Sequence, residues 1–283
     1  MTRRPASRRP PKLPADREAR LGPADPVAPR EIGPRELLKR NRVSGCAHPK
    51  FGRAEIREHA RRLVAGDPHL AHGLELGAPD VDDVYAALTN HWGCTLDDPR
   101  ARLDVDLTIT NFDRACAQVD EVAMAGGRLI FATSRPASLL PLHLLLARDA
   151  EARGARALRE REATGVRAGG RSDRALWWID QVAVLTDGSA VLGHDDHAVW
   201  PEVDFALGRA ELVVADGALA AGAVAAGFDV VAFADLDSMA LGLVCDRGLP
   251  VTVVPIVCSR PAWCYEPLAE LASLETRSTS PVL

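Results

Sequence analysis

Aromatic residues are scarce in this chain, at 5% against 47% hydrophobic residues of all kinds, and only two of them are tyrosines. The core must therefore be built mainly from Leu, Val and Ala, which suits parallel strands covered by helices better than a sandwich anchored on aromatic side chains. No uncharged apolar run reaches about 18 residues, the length that a membrane-spanning helix needs, so we expect no membrane span. The 283 residues can bury a sizeable core in one large domain or two small ones.

An excess of positive charge and closely spaced cysteine pairs are also lacking. The formal net charge is −5, whereas a protein that binds nucleic acid needs an electropositive docking face, so no nucleic-acid partner is expected. None of the cysteines forms a C-x-x-C pair, and a chain of this size does not need disulfides, so we expect reduced thiols and a cytoplasmic location. The six cysteines are Cys46, Cys94, Cys116, Cys245, Cys258 and Cys264.

The N-terminal segment differs in composition from the rest of the chain. It begins MTRRPASRRPPKLPADREAR, which concentrates Arg and Pro and offers little to bury, so residues 1–32 are predicted to be a disordered arm. Its paired arginines are not followed by the apolar stretch of a twin-arginine signal, so export is not expected. A short disordered tail is predicted for residues 276–283.

The remaining sequence falls into two regions that differ in the spacing of their apolar residues. Residues 33–126 place apolar residues at three- and four-residue spacing between Gly, Pro and Asp, which predicts a helical N-terminal region. Residues 127–275 alternate short apolar runs with Ala-rich helical stretches, which implies right-handed βαβ crossovers. We therefore predict an α/β fold with a parallel, doubly wound, Rossmann-like sheet and a helical N-terminal layer. The apolar runs are LIFATS, ELVVAD, DVVAFADLD and the closing PVTVVPI.

Two segments between these units have a different character. In WWIDQVAVLTDGSAVLG, the Asp187-Gly188 pair between apolar runs predicts a β-hairpin. The Gly- and Arg-rich stretch 167–174 has the composition of a disordered connector or of a loop that closes over an anionic ligand.

Polar residues follow the first predicted strand of the α/β region. The carboxyl ends of parallel strands share one edge of the sheet, and ligands bind there where the strand order reverses. Thr133, Ser134 and Arg135 stand at this junction, where unpaired helix N–H groups and a guanidinium suit a phosphate group. An ordinary helix start, with Ser134 as cap and Pro136 in the first turn, would give the same pattern.

Carboxylates follow the next two strands at the same edge. Asp216, Asp235 and Asp237 are candidate ligands for Mg²⁺, which prefers carboxylate and water oxygens, and Asp216 is also a candidate catalytic residue. Helix capping is the alternative role for these side chains. The Asp235-x-Asp237 pattern also resembles the nucleophile motif of haloacid-dehalogenase-type phosphatases, although that family carries it after its first strand.

Histidines supply the remaining candidates for proton transfer. GHDDHAVW contains His194 and His197, which could act as general acid or base, or could belong to a solvated polar loop. His48, His69 and His91 stand near predicted helix ends, where capping or surface roles are usual. The sequence contains no Walker motif, no G-x-G-x-x-G after a strand and no G-x-S-x-G, so no nucleotide cofactor is expected.

Taken in order, these motifs resemble a bacterial family that carries the label "phosphatase". The likeness runs from about residue 42 to 268 and includes GDPH, the WGC region, ATSRPASLLPLHLLLAR, LVVADGALAAGAVAAGFDVVAFADLDSMAL and VTVVPI. Thr133, Asp216 and Asp235 match that family. It typically has Gly-His where this chain has Ser134-Arg135, and Asp-His-Gly-Trp where this chain has Asp216-Gly217-Ala218-Leu219. The first exchange keeps an anion-binding group and removes a proton-transferring imidazole.

The resemblance and the motifs together predict a phosphatase-like hydrolase that acts on a small phosphorylated metabolite with Mg²⁺. Thr133, Ser134 and Arg135 would hold the phosphate, Asp216 and Asp235 would hold a metal or orient water, and His194 or His197 would transfer the proton. Two alternatives remain open: a non-catalytic protein that binds a phosphometabolite or a partner, and a sugar-phosphate isomerase or transferase. The sequence does not indicate the substrate or the oligomeric state.

Overall fold

The structure, a computed structural model, describes residues 32–159, 175–186, 191 and 210–278. The helices in these ranges are α1 (Pro34–Arg40), α2 (Arg53–Val64), α3 (Pro68–Ala71), α4 (Val81–Trp92), α5 (Val105–Met124), α6 (Pro136–Ala152), α7 (Gly217–Ala225), α8 (Met239–Asp246) and α9 (Glu266–Ser278). The strands are β1 (Ala47–Gly52), β2 (Arg100–Arg102), β3 (Arg128–Thr133), β4 (Arg156–Ala157), β5 (Ala175–Ile179), β6 (Val182–Thr186), β7 (Leu212–Asp216), β8 (Val230–Ala234) and β9 (Val251–Pro255).

The main sheet has the order β5-β6-β3-β7-β8-β9, and β4 pairs with the start of β3. All pairs from β6 across to β9 are parallel, and β5 is antiparallel to β6 at one edge. The predicted α/β fold with a mostly parallel, Rossmann-like sheet is therefore confirmed.

Helices cover both faces of this sheet because its strands are apolar on both sides. Phe131, Val214 and Phe233 point into one core with α1, α5, α6 and α9. Ile130 and Val213 point into the other core with α2, α4, α7 and α8. The N-terminal helices thus contribute to both layers. Continuous runs of Val and Ala without alternating polar residues are what a strand buried on both faces requires.

The strand order reverses next to β3. From β3 the chain passes through α6 to β6 on one side, whereas β7, β8 and β9 follow in sequence on the other side. The crevice at the carboxyl ends of β3 and β7 is therefore the topological switch point, where open α/β sheets bind their ligands.

Several local predictions need correction. Residues 33–126 are not wholly helical, because β1 and β2 form a small antiparallel pair. The described hairpin joins β5 to β6 at Asp180 and Gln181, and Asp180 has the left-handed φ of 56° that Asp tolerates. The predicted turn at Asp187-Gly188 and the stretch 167–174 lie outside the described residues. Helix α9 runs to Ser278, into the segment predicted as a tail.

Two sequence expectations concern the cysteines and the membrane. All six cysteines are free thiols in the structure. In the portions of the chain described above, no helix is both long and apolar enough to cross a membrane. The cytoplasmic location stays a prediction.

Candidate functional site

The turns that follow β3 and β7 meet at the switch point. The backbone N–H of Ser134 donates to Asp216 Oδ1 over 3.0 Å, and the Ser134 hydroxyl donates to the same oxygen over 2.5 Å. Ser134 is 4% exposed and Asp216 is 0% exposed. Residues separated by 82 positions in the sequence thus form one buried polar contact.

Local hydrogen bonds explain why Ser134 is available for this contact. Thr133 Oγ1 accepts from the Arg135 N–H over 3.0 Å, which closes the turn between β3 and α6. Arg135, not Ser134, occupies the N-cap position of α6, and no side chain caps this helix. Asp216 precedes α7 without capping it. The capping alternative is therefore wrong for Ser134 and for Asp216, whose side chains bind each other instead.

Arg135 lies between the carboxylates that follow β8. Its Nη2 contacts Asp237 Oδ2 at 2.7 Å and its Nη1 lies 3.7 Å from Asp235 Oδ2, while its Nε has no hydrogen-bond partner. Burial opposes the charge of this guanidinium, but Asp237, Asp235 and Asp216 outweigh burial and raise its pKa above the usual value. Arg135 is therefore a permanent buried cation.

Asp235 joins several segments of the chain at this edge. It accepts from the backbone N–H groups of Leu236 and Cys258 over 2.7 and 3.0 Å, and from His48 Nε2 over 2.8 Å. The bond to Leu236 is a capping bond, so the capping alternative holds in part here. The remaining contacts tie β1 and the end of β9 to the end of β8.

The capping or surface role expected for His48 near a helix end is wrong, because His48 lies in β1 and is 6% exposed. Its Nδ1 accepts from the N–H groups of Lys50 and Phe51 over 3.1 and 3.0 Å. An imidazole nitrogen that accepts a hydrogen bond carries no proton. The N–H is therefore at Nε2, which donates a hydrogen bond to Asp235. Nothing in the motif SGCAHPK distinguishes this role, because it depends on the strand pair β1 and β2 reaching the sheet edge.

His143 is the other residue that was missed. It lies within α6, is 0% exposed, and places Nε2 at 3.6 Å from Asp216 Oδ2, beyond hydrogen-bond length. Neither of its ring nitrogens has a hydrogen-bond partner, and the same holds for Asp216 Oδ2. Its ring packs edge-on against Phe233 at 5.3 Å. The only indication of its role in the sequence is that it is the one polar residue in the apolar run LLPLHLLL, which predicts a buried imidazole.

The electrostatics of the cluster favour an ionised Asp216. Burial alone would raise its pKa, but His143, Arg135 and Ser134 outweigh burial and hold the pKa of Asp216 below its usual value. The neighbouring Cys258 behaves in the opposite way, because burial raises the pKa of its thiol well above the usual value. Cys258 therefore stays a neutral thiol and is a poor nucleophile.

The predicted metal ligands do not converge as a set. The described residues contain no group of three or more His, Cys, Asp or Glu side chains placed to hold a metal ion. Asp235 is bonded to His48 and to backbone N–H groups, and Asp237 to Arg135. Asp216 Oδ2 is the carboxylate oxygen left without a hydrogen bond. His194 and His197 lie outside the described residues, and their roles stay predictions.

Replacement of His48 by Leu is expected to destabilise the fold by about 2–4 kcal/mol, because it leaves the Lys50 and Phe51 N–H groups without their side-chain acceptor and removes one of the donors to the buried Asp235. His59→Leu is the matched control, since His59 also packs on Phe51 but is only partly buried and bonds a single backbone carbonyl. Urea unfolding of both variants measures the difference. Equal losses would contradict the role assigned to His48.

The depressed pKa of Asp216 predicts how stability depends on pH. Its contribution is fully present above the unfolded pKa, about 3.9, and is lost as the pH falls through the folded value. The difference in unfolding free energy between wild type and Asp216→Asn should therefore be constant above about pH 5 and shrink below about pH 4.

Asp113 is a control of opposite sign, because burial raises its pKa. Asp113→Asn should therefore stabilise the protein at neutral pH, and that gain should disappear once the carboxyl of Asp113 is protonated in acid. Urea unfolding between pH 3 and 7 compares the two variants. A gap for Asp216→Asn that widens in acid would contradict the electrostatic assignment.

Comparison with known proteins gives two matches. The sequence model of a family described as "Phosphatase" matches residues 33–276. A protein of Streptomyces coelicolor named Phosphatase SCO2771 is similar, with 30% identity over 234 residues that cover 78% of this chain and 86% of that protein. The family match spans β3, β7 and β8, the strands whose ends carry the buried cluster.

Proposed function

The chain belongs to the Phosphatase family, and on that premise we propose that it hydrolyses the phosphate ester of a small metabolite at the Ser134–Asp216 contact. One observation carries the proposal. At the switch point of the sheet, the hydroxyl and guanidinium of the turn after β3 meet a buried carboxylate from the end of β7, close to two buried histidines.

Arg135 is the group proposed to bind the phosphate. Its Nε has no partner, and its contact with Asp237 is the more exposed of its two carboxylate contacts, with 24% of the Asp237 side chain accessible. A phosphate could take the place of the Asp237 carboxylate, because a guanidinium binds both anions through the same pair of N–H donors. The Ser134 hydroxyl and the Thr133 turn would then line the phosphate.

Asp216 is proposed to orient the attacking water. The water oxygen forms a bond to phosphorus while the bond between phosphorus and the ester oxygen breaks. The ionised Asp216 attracts the proton that leaves the water, and its Oδ2, unpaired and near His143, has room in its hydrogen-bonding shell for that role. The departing ester oxygen needs a proton, which His194 or His197 is proposed to supply.

Mg²⁺ is proposed as an assisting ion. The three carboxylates of Asp216, Asp235 and Asp237 face the single guanidinium of Arg135, and this excess of carboxylates opposes a phosphate dianion. A divalent cation that used Asp216 Oδ2 together with water and phosphate oxygens would offset that charge, in keeping with the few protein ligands Mg²⁺ usually takes.

A non-catalytic binding protein is the second candidate. The observation in its favour is that Arg135 is already paired with a carboxylate and that Ser134 and Asp216 are both buried. Such a protein would hold a phosphometabolite through Arg135 without turning it over.

Phosphate release from a panel of sugar phosphates and nucleoside monophosphates, with Mg²⁺ and with EDTA, tests the proposal. We expect release from at least one class of ester, and loss of that release in EDTA if the metal assists. Thermal stabilisation by a panel member without release would favour the binding protein. Chemical rearrangement of a substrate without release would favour an isomerase and contradict hydrolysis.

A further inference from the structure

A basic cleft of about 540 Å³ lies on the N-terminal side of the fold, beside the strand pair β1 and β2. None of the phosphate-binding candidates of the β3 turn lines it. Its walls are formed by Arg42, Cys46, Ala47, His48, Pro49, Lys50, Phe51, Gly52 and Arg100. This volume lies within the range of about 300–1,000 Å³ that small-molecule sites occupy.

The cleft is lined by more cations than carboxylates, although Asp98 accepts from the Arg100 N–H and Glu55 from the Gly52 N–H, each over 2.9 Å. Arg42, Lys50 and Arg100 are exposed, and none of them forms an ion pair with any described carboxylate. Burial raises the pKa of the Cys46 thiol, and the charges of the nearby Arg42, Arg260 and Arg102 partly offset that effect. Of these, Arg102 forms an ion pair with Asp98 at 2.6 Å. In a chain whose net charge is −5, this collection of cations around one concavity is a local exception.

The backbone conformation of Arg42 shows how this cation can be removed without loss of stability. Arg42 follows the end of α1 with a left-handed φ of 58°, and its neighbour Val43 donates to Leu38 O over 3.0 Å as in a Schellman motif. Glycine is the usual residue at that position because side chains are strained there. Replacement of Arg42 by glycine should therefore remove a cation from the cleft wall and relieve this strain.

The cleft and the Ser134–Asp216 cluster share one side chain. His48 Nδ1 accepts from the Lys50 and Phe51 N–H groups of the cleft wall, and His48 Nε2 donates to Asp235 on the other side of the ring. The imidazole therefore separates the two regions, so a ligand in the cleft would lie beside the cluster without touching Arg135.

We propose that this cleft is a second anion site, which binds a small ligand carrying two adjacent phosphate groups. Three cations around one concavity match the closely spaced charges of a diphosphate better than the single charge of a carboxylate. The assignment is independent of hydrolysis, since it concerns binding at residues that the proposed reaction does not use.

Calorimetric titration with inorganic pyrophosphate, in buffer without Mg²⁺, tests the proposal. We expect the Kd to rise about tenfold or more in Arg42→Gly combined with Arg100→Gln, and to be unchanged in Arg57→Gln, which removes an exposed cation of α2 outside the cleft. The Arg42→Gly variant alone should bind more weakly while its Tm does not fall, because glycine relieves the left-handed strain.

Arg135→Lys separates this site from the Ser134–Asp216 cluster. Pyrophosphate binding that survives in Arg135→Lys and is lost in the cleft variant supports the proposal. Binding that is lost in Arg135→Lys and kept in the cleft variant overturns it. Equal weakening in Arg57→Gln and the cleft variant would show a nonspecific charge effect and would also overturn it. In each supporting case the affinity should fall with added NaCl, because exposed cations are screened by salt.

Discussion

Replacement of Asp216 by Asn is expected to lower kcat/KM for phosphate-ester hydrolysis by about a thousandfold, within the range for loss of a proton-transferring or charge-stabilising group. Asn keeps the shape of the side chain and can still accept from Ser134, but it removes the negative charge beside His143 and Arg135. A water molecule next to the amide would lose its proton acceptor. Initial rates of phosphate release on the best substrate of the panel measure the loss.

The control for this variant is Asp180→Asn, the same exchange at a surface carboxylate that pairs with Arg148. Asn tolerates the left-handed conformation of Asp180, so its fold should be undisturbed. Circular dichroism and urea unfolding show whether Asp216→Asn remains folded at the assay pH. A folded Asp216→Asn protein with an activity close to that of Asp180→Asn would rule out the proposed role of Asp216.

Replacement of Arg135 by Ala is expected to destabilise the protein by about 3–5 kcal/mol, the usual loss when one partner of a buried ion pair is removed. The guanidinium is 6% exposed and lies against Asp235 and Asp237, while Asp235 is itself buried. Without it, the carboxyl groups of Asp235 and Asp216 lose their nearby cation in a site from which water is largely excluded. Chemical denaturation at neutral pH measures the loss.

Acid should partly rescue this variant, because protonation of the carboxylates removes the uncompensated charge. The matched control is Arg148→Ala, which removes an exposed cation from its pair with Asp180 and should change stability by about 0–1 kcal/mol. Arg135→Lys keeps the charge without the planar fork and should recover part of the stability but little of the phosphate binding. A loss in Arg135→Ala no greater than that in Arg148→Ala would show that the buried cation is not needed.

The sheet was the most predictable part of this molecule. The runs LIFATS, ELVVAD, DVVAFAD and PVTVVPI became β3, β7, β8 and β9, because uninterrupted Val and Ala suit strands that are buried on both faces. The short β1 and β2 were not recognised. Their sequences, AHPKFG and RAR, lack the uninterrupted apolar runs that identified the strands of the main sheet.

The residues of the site that follow strands were predicted from the sequence, whereas their histidine partners were not. The rule that strand ends share one edge was enough to bring Ser134, Arg135 and Asp216 together. It could not indicate their partners, since His48 and His143 come from β1 and from the middle of α6 and reach the edge only through packing. The same limit applied to the cleft around Arg42, whose walls come from segments about 50 residues apart.

By itself the sequence determined the fold class and the edge of the sheet at which polar residues gather, because both follow from local patterns of apolar and turn-forming residues. Only the tertiary structure decided that Ser134 bonds Asp216 instead of capping a helix, that Arg135 is enclosed by carboxylates, and that His48 joins the cluster to a basic cleft. These contacts depend on the distances between residues far apart in the chain. Such distances are set by how helices pack on the two faces of the sheet, and they cannot be predicted from the local pattern of apolar and turn-forming residues.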